Sequence, residues 1–448
     1  MTTTSTTVRS ALADEMRSAA QALGALAAGE RLDFALDQAE RDHDLAPASR
    51  PVVRDLAYSA TRVLGLCQAL ARGLNAREPA PPVAALQWLA LAQLIAPQRH
   101  PATIVDQAVR AARADPQTEG AAGFINATLR AFLRSPETLL DAARRHPEAR
   151  WNHPDWWLDV LRTDHPNTWQ AIAESADRHP PLTLRVNRRR IARADYVARL
   201  EAQGYTCRVV GPAAVIVEPA GRVQALPGWA EGLVSVQDEG AQRAAFWLDV
   251  RDGQRVLDAC AAPGGKSAHI LEEAAVHLTA LDLKPRRLAQ VREGLDRLGL
   301  SGTLVCGDAA TPRRWWDRVP FDRILVDAPC TASGIVRRAP DSRWLRRRGD
   351  LTTLAAAQTR IIDALWPLLK PGGKLLYATC SVFRAEGQDI IEPFLKRHKD
   401  ARELALPDCP QPAAGTDTRG PGRQLLPVSM PSEDHDGFFY CLIEKRRP

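Results

Sequence analysis

The sequence predicts an α/β protein whose C-terminal part is a doubly wound parallel sheet. From residue 253 onward, apolar strands alternate with helices, which is the pattern of a parallel sheet covered by helices on both faces. The first of these strands leads directly into a turn of small residues, and two later strands each end beside a cysteine. The carboxyl ends of parallel strands share one edge of the sheet, where ligands bind. We therefore expect a ligand site with two thiols at that edge.

An all-helical domain is expected at 1–145. Apolar residues within 51–74 recur every three or four positions, which places them on one face of a helix. The helix expected at 83–95 is apolar on all sides, and the helix at 123–134 carries Arg130 and Arg134 on its polar face. A solvated helix face explains these two arginines, and phosphate contact is the alternative.

A small α+β module is expected at 146–240. The alternation of Leu182, Leu184 and Val186 indicates a strand with one buried face. Arg185 and the run of arginines at 188–190 lie on this strand or just after it, where they could hold an RNA backbone. Further strands are expected at 206–210, 213–217 and 234–238, with a helix at 194–203.

The third domain, 241–448, carries the parallel sheet. Strands are expected at 255–259, 277–283, 302–308, 321–327 and 374–380, and helices at 265–274, 285–298 and 354–369. A loop rich in Pro and Gly is expected at 405–431, followed by a last strand at 436–445.

The composition limits the class of protein without deciding it. The chain has 59 Lys and Arg against 53 Asp and Glu, a net charge of +6 that suits a polyanionic partner or an ordinary basic enzyme. The 8 cysteines form no CxxC pair and no zinc-type spacing, so we expect reduced thiols in a cytoplasmic protein without a metal. The N-terminus lacks the apolar core of a signal peptide, and no apolar run is long enough to span a bilayer.

The turn after the first parallel strand, LDACAAPGGKS at 257–267, indicates a nucleoside site. Its glycines permit a tight turn and a close approach of a ligand to the backbone, but it is not a phosphate-binding pattern. A nucleoside that carries a sulfonium is therefore as plausible as a dinucleotide. Asp282 ends the second strand, where a carboxylate can bind ribose hydroxyls, and Asp308 ends the third, where it can bind an adenine amine.

Cys330 and Cys380 differ from the other cysteines because each follows a strand end at this site. A thiolate that adds to C6 of a pyrimidine makes C5 nucleophilic enough to take a methyl group from a sulfonium. An acid must then hold or protonate N3, and Asp327 is the candidate. A lone cysteine is usually structural, which is the interpretation for Cys67, Cys207, Cys306, Cys409 and Cys441.

Three motifs resemble the Sun family of RNA cytosine-5 methyltransferases: FDRILVDAPCTASG at 321–334, DACAAPGGK at 258–266 and YATCSV at 377–382. The likeness is greatest to bacterial members that act on 16S ribosomal RNA, and it covers nearly the whole chain. It implies a Rossmann-like class I domain that depends on S-adenosylmethionine. It also implies a NusB-like helical domain, in which GFINATLRAFLR at 123–134 is the last helix, and an RNA-binding module between the two.

Carried over residue by residue, the resemblance makes Cys380 the nucleophile and Cys330 the cysteine that releases the methylated RNA. Asp327 would face the base, and Lys266 would hydrogen-bond the target region. It implies cytosine 967 of 16S rRNA as the target, in a free or partly assembled small subunit, and a monomeric enzyme that binds no membrane. The residues implied to line S-adenosylmethionine are Cys260, Ala261, Ala262, Pro263, Gly264, Gly265, Lys266, Asp282, Asp308 and Asp327.

Two positions depart from the family pattern. Ala339 stands where relatives usually have His, and Gly387 stands where they usually have Asn. DNA cytosine-5 methyltransferases attack with the thiol at the position of Cys330 and need no partner like Cys380, so the presence of both favours RNA. Two alternatives remain open: the same chemistry on tRNA or another rRNA site, and a non-catalytic RNA-binding assembly factor.

Overall fold

The computed structural model describes residues 11–407, 420–427 and 434–447. The chain divides into two compact units. The helical unit runs to Val160 and also includes Ala339–Arg347, while the sheet unit comprises Leu161–Arg338 and the chain from Arg348 onward. In the described part of the chain, no helix is both long and apolar enough to cross a membrane.

Among the described residues, eleven α-helices precede the first strand, eight within the all-helical domain expected at 1–145 and three within the module expected at 146–240. They are α1 (Leu12–Ala27), α2 (Leu32–Asp42), α3 (Arg50–Thr61), α4 (Leu64–Leu74), α5 (Pro81–Ile95), α6 (Pro101–Arg113), α7 (Ala122–Arg134), α8 (Pro136–Ala143), α9 (Pro147–Trp151), α10 (Asp155–Asp164) and α11 (Trp169–Ser175). The apolar helix and the arginine-bearing helix of the prediction are α5 and α7.

The single helix expected at 51–74 is wrong, because α3 and α4 are separate helices. The side chain of Asn152 lies at the break, where its Oδ1 accepts the Gly65 amide at 2.8 Å and its Nδ2 donates to the Arg62 carbonyl at 2.5 Å. These bonds satisfy backbone groups that a continuous helix would have paired internally. The apolar spacing continues across the break, which is why periodicity alone did not show it.

The small module contains an antiparallel sheet of four strands in the order β2-β3-β1-β4. The expectation that Arg185 could hold RNA is wrong, because its side chain is fully buried. Its guanidinium pairs with Glu272 at 2.7 Å and donates to the Gly265 carbonyl at 2.7 Å. The elements are β1 (Leu182–Val186), α12 (Arg193–Glu201), β2 (Thr206–Val210), β3 (Ala214–Glu218), β4 (Val234–Val236) and α13 (Glu239–Trp247).

The large sheet has eight strands in the described residues, in the order β10-β12-β9-β8-β5-β6-β7, with β11 paired to β12. Strands β5 to β9 are parallel, as predicted, and β12 adds an antiparallel strand beside β9. The strands are β5 (Arg255–Ala259), β6 (His277–Asp282), β7 (Thr303–Cys306), β8 (Phe321–Asp327), β9 (Leu369–Thr379), β10 (Ala401–Leu404), β11 (Arg423–Leu425) and β12 (Phe438–Lys445).

Helices α14 (Gly265–Glu273), α15 (Pro285–Leu298), α16 (Ser342–Leu345), α17 (Arg348–Leu365) and α18 (Gln388–Arg397) complete the fold. The short α16 belongs to the helical unit and the others to the sheet unit. Strand β5 has β6 on one side and β8 on the other, so the winding direction reverses at its carboxyl end. Ligands bind at such a reversal in open α/β sheets.

Candidate active site

The two thiols predicted to meet lie side by side. Strands β8 and β9 are parallel neighbours, with Asp327 opposite Ala378, so the segments after them leave the sheet at the same edge. Cys330 follows β8 and Cys380 follows β9, and their Sγ atoms are 3.3 Å apart. The Gly334 amide donates to the Cys380 carbonyl at 3.0 Å, which holds the two segments together beyond the sheet.

The two cysteines have different surroundings. Cys330 is buried, and its hydrogen bond with Cys380 together with this burial raises its pKa well above the ordinary value. Cys380 is half-buried and is therefore the more accessible of the two. The arrangement gives a buried, protonated thiol beside a more accessible one.

Lys266 and Asp327 form an ion pair on the sheet edge near the thiols. The Lys266 Nζ lies 2.8 Å from the Asp327 carboxylate, and both side chains are mostly shielded from solvent. Burial acts to lower the pKa of Lys266, but the neighbouring Asp327 carboxylate outweighs it and the pKa is raised. The ammonium also lies 5.7 Å from the centre of the Phe438 ring. The pair places a fixed positive charge and a carboxylate beside the strand ends.

The turn after β5 needs its glycine. Gly264 has a φ of +100°, and a Cβ there would lie 3.0 Å from the Val291 backbone. The Ala261 amide donates to the Leu281 carbonyl at 2.9 Å, so the turn is held against β6. Burial raises the pKa of Cys260 to about 12, which keeps this thiol neutral. The turn from Cys260 to Gly265 therefore presents backbone to the sheet edge.

Asp282 and Asp308 lie at neighbouring strand ends, as expected. The buried Asp282 carboxylate accepts the Ala262 amide at 3.2 Å and the Lys284 amide at 3.1 Å, and it lies 3.4 Å from Arg287. Asp308 is exposed, and its Oδ1 accepts the Ala310 amide at 2.9 Å. Asp282 is thus fixed against the glycine turn, while Asp308 is open to a ligand.

Sequence reasoning missed a buried carboxyl at the base of the turn. Asp258 is fully buried on β5, and Ser267 donates to its Oδ2 at 2.5 Å. Its Oδ1 has no hydrogen-bond partner among the described residues. Burial raises the pKa of Asp258 to about 7. An acid that ends a strand just before a ligand turn was the available signal.

A second missed feature is a cluster of charges behind the Cys330 segment. Arg338 and Arg337 both pair with the buried Asp436, and Arg338 also binds Asp238 at 2.8 Å. Burial, with the nearby Asp238 carboxylate, raises the pKa of Asp436 to about 6. The cluster fixes the chain after Cys330 against the segment before β12. Its members lie far apart in sequence, so only the motif DGFF at 436–439 pointed to it.

The remaining cysteines fit the structural interpretation only in part. Cys67 and Cys441 are buried, Cys207 is half-buried, and Cys306 is exposed, so burial does not account for Cys306. Cys409 lies outside the described residues. The unusual Gly387 is explained by packing, because a Cβ at this position would lie 2.7 Å from the Phe439 ring.

The molecule combines a doubly wound sheet with a glycine turn and two adjacent thiols at one edge, and its family match identifies the class of enzyme as a methyltransferase. Family models match 245–444 as 16S rRNA methyltransferase RsmB/F, 153–224 as the RsmF/B-like ferredoxin-like domain and 14–134 as the NusB family. The chain belongs to the RsmB/F family of S-adenosylmethionine-dependent 16S rRNA methyltransferases. The predicted fold class is confirmed.

Individual relatives agree with these matches. The ribosomal RNA small subunit methyltransferase B of Vibrio cholerae serotype O1 is 39% identical over 424 residues, which is 93% of this chain and 94% of the relative. The crystal structure of PH0851 covers 97% of this chain and 99% of its own, with a TM-score of 0.77 at 22% identity. NSun6 from Pyrococcus horikoshii, crystallised with SFG, covers 66% of this chain and 99% of its own, with a TM-score of 0.56 at 18% identity. The two structures bear on the fold alone.

Proposed function

We propose that this enzyme methylates C5 of a cytosine in 16S rRNA, at position 967, through a covalent bond between Cys380 and C6 of the base. The observation that carries the proposal is the pair of thiols 3.3 Å apart at the edge of the sheet that also holds Lys266 and Asp327. One thiol would suffice for addition to C6. A second thiol in contact with the first supports a separate step in which the base is released.

The residues around the glycine turn fit S-adenosylmethionine. The turn contains two glycines, which carry no side chain, and Asp282 and Asp308 offer carboxylates at successive strand ends. The buried Asp258 Oδ1 has no hydrogen-bond partner among the described residues. When bound, S-adenosylmethionine supplies the electrophilic methyl group that C5 takes up. The residues proposed to line it are Cys260, Ala261, Ala262, Pro263, Gly264, Gly265, Lys266, Asp282, Asp308 and Asp327.

Cys380 is the proposed nucleophile because it is the more accessible thiol. As a thiolate, its Sγ bonds to C6 of the base, and the electron pair of the C5–C6 double bond becomes available at C5. Negative charge that develops toward N3 needs a hydrogen-bond donor, and this role is proposed for Asp327 with a proton that it receives from the Lys266 ammonium. Before that transfer, Lys266 holds the carboxylate at 2.8 Å and brings a compensating positive charge.

Cys330 is the proposed release group. After methylation C5 carries both a methyl group and a proton. Transfer of the C5 proton to a water molecule restores the double bond as the bond between C6 and the Cys380 Sγ breaks, and that sulfur leaves as a thiolate. The Cys330 thiol, 3.3 Å from the departing sulfur, can hydrogen-bond to it and pass it a proton, and Cys330 then regains a proton from solvent. Without Cys330, the adduct should persist.

Mapping the modified nucleotide tests the proposed target most directly. Bisulfite sequencing of 16S rRNA from a strain that lacks this gene should show the loss of one 5-methylcytosine, at position 967. Expression of the wild-type chain should restore it, and the Cys380→Ala variant should not. Loss of a mark from tRNA or from another rRNA site would overturn the assigned target. Restoration by the Cys380→Ala variant would overturn the mechanism.

A further inference from the structure

The segment that carries Cys330 is held by a buried acid that no step above uses. Glu386 lies in a short turn six residues after Cys380, and its side chain is fully buried. One carboxylate oxygen, Oε1, accepts the Thr331 amide at 2.8 Å, and the other, Oε2, accepts the Thr331 hydroxyl. Both oxygens therefore bind the residue that follows Cys330.

Gln358 of α17 fixes the other side of Cys330. Its Nε2 donates to the Pro329 carbonyl at 2.9 Å and to the Glu386 Oε1 at 3.2 Å, and its Oε1 lies 3.1 Å from the Tyr377 hydroxyl. The residues before and after Cys330 are thus bound by one buried network, and Glu386 lies at its centre.

The same residue also binds the segment that carries Cys380, through its main chain at Thr379 and through a side-chain hydrogen bond with Ser381. The Glu386 carbonyl accepts the Thr379 hydroxyl at 3.1 Å, and Thr379 directly precedes Cys380. A side-chain substitution at 386 would therefore disturb the contacts to Thr331 and leave the main-chain bond to Thr379 in place. Ser381 would keep its hydroxyl bond to Ser333 at 2.8 Å, so the Cys380 segment retains support that does not depend on this side chain.

Burial of a carboxylate is costly unless its oxygens are satisfied, and burial raises the pKa of Glu386 against the opposing effect of its hydrogen bonds. Apolar packing would stabilise a core position at least as well as a buried acid. Here the acid is used to fix a loop backbone with two acceptors. A glutamine in its place would keep one acceptor and replace the other with a donor, so the bond with the Thr331 hydroxyl would have to reverse its direction.

We infer that Glu386 is the positioning residue that sets the Cys330 thiol against Cys380, and that it acts in the release step. This inference rests on the proposed function, in which Cys330 serves release alone. Substitution of Glu386 should let the Cys330 segment shift. A displacement on the order of 1 Å in a reacting group can slow its step about a hundredfold.

A single-turnover assay with a labelled methyl donor and the target RNA fragment tests the inference. For Glu386→Gln, the methylated RNA should stay bound covalently to the protein on a denaturing gel, with release slowed about tenfold or more. Formation of the adduct should stay within about twofold of the wild-type rate, because the main-chain bond to Thr379 remains. The split between formation and release is a result that a merely structural role would not give.

Glu239→Gln is the matched control, since Glu239 is another buried acid of the sheet unit, paired with Arg243 on α13. It should form and release the adduct at wild-type rates. Should Glu386→Gln fail to fold, Thr331→Val keeps the Glu386 carboxylate and removes only the hydroxyl bond. It should slow release in the same direction by a smaller factor.

Wild-type release by both Glu386→Gln and Thr331→Val, or equal loss of formation and release, would overturn the inference. Failure of the proposed function has a different signature. In that case the wild-type enzyme would form no 5-methylcytosine, or the Cys330→Ala variant would trap no adduct. If Cys330→Ala traps an adduct while Glu386→Gln and Thr331→Val release it at the wild-type rate, only the positioning role of Glu386 is rejected.

Discussion

Cys330 and Cys380 carry the same side chain, and their Sγ atoms are only 3.3 Å apart, but the two thiols have different environments. The buried Cys330, whose pKa is raised, keeps its proton, while Cys380 is only half-buried. A buried protonated thiol can return a proton to a departing sulfur, and an accessible thiol can reach a base. The proposed roles, attack by Cys380 and release by Cys330, follow from that difference in exposure.

Asp258 predicts a pH dependence of stability. Its pKa is about 7 in the folded chain against an ordinary 3.8, because burial disfavours the charged form. The stability it contributes is complete below about pH 4 and is lost as the pH rises toward about 7. Asp258→Asn cannot ionise and can still accept the Ser267 hydroxyl. Between pH 5 and pH 8 its melting temperature should therefore fall less than that of the wild type.

Calorimetry of the full chain without cofactor is the measurement, with the exposed Asp296→Asn as control. The control should follow the wild-type pH profile. An Asp258→Asn profile parallel to the wild type would mean that the buried carboxyl is not protonated near neutral pH.

Among the helices, the break between α3 and α4 is predicted to depend on the Asn152 side chain for its local stability. Asn152→Ala would leave the buried Gly65 amide and Arg62 carbonyl without their side-chain partner. An unsatisfied buried group costs about 1–3 kcal/mol, so we expect the break to open about a hundredfold more often. Hydrogen exchange of the α3–α4 amides in the full chain should speed up accordingly.

Asn126→Ala is the matched control for this experiment. The Asn126 side chain is half-exposed on α7 and accepts a hydrogen bond from Arg130 at the surface. Its removal should leave exchange at α3–α4 unchanged. Equal exchange in the Asn152 and Asn126 variants would contradict the role given to Asn152.

Elements whose signals are local could be predicted from the sequence, and contacts between distant residues could not. The parallel strands can be predicted from periodicity, and the glycine turn can be predicted from composition. Once the strands are placed, their shared edge predicts that Cys330 and Cys380 lie close together. The burial of Arg185 against Glu272 and the bonds of Glu386 to Thr331 join residues 87 and 55 positions apart. Such pairs depend on the packing of elements that are distant in sequence, so local sequence patterns do not predict them.

At the scale of the whole molecule, the net charge of +6 predicts binding that depends on salt. Phosphates neutralised by Lys and Arg release counterions, so affinity should fall by ~0.7 log unit per log unit of salt for each single-strand phosphate contacted. Fluorescence anisotropy with a labelled rRNA fragment measures the slope. A flat profile would mean that phosphate contacts contribute little to binding.

The proposed covalent mechanism also constrains the RNA. C6 of a cytosine can be reached by a thiol only when the base is unpaired or extruded from its stack. A fragment with the target in a loop should therefore be methylated faster than one with the target closed in a helix. Labelled methyl incorporation into matched fragments measures the ratio, and equal rates would contradict access through an unstacked base.

We propose that Cys380 forms the bond to the base and that Cys330 allows this bond to break, and a denaturing gel tests both roles. Cys330→Ala is incubated with the rRNA fragment and labelled donor and then run under denaturing conditions. We predict a labelled protein–RNA band that persists, and its absence when Cys380→Ala is added to the same chain. Free turnover by Cys330→Ala, or a band that survives loss of Cys380, would contradict the account.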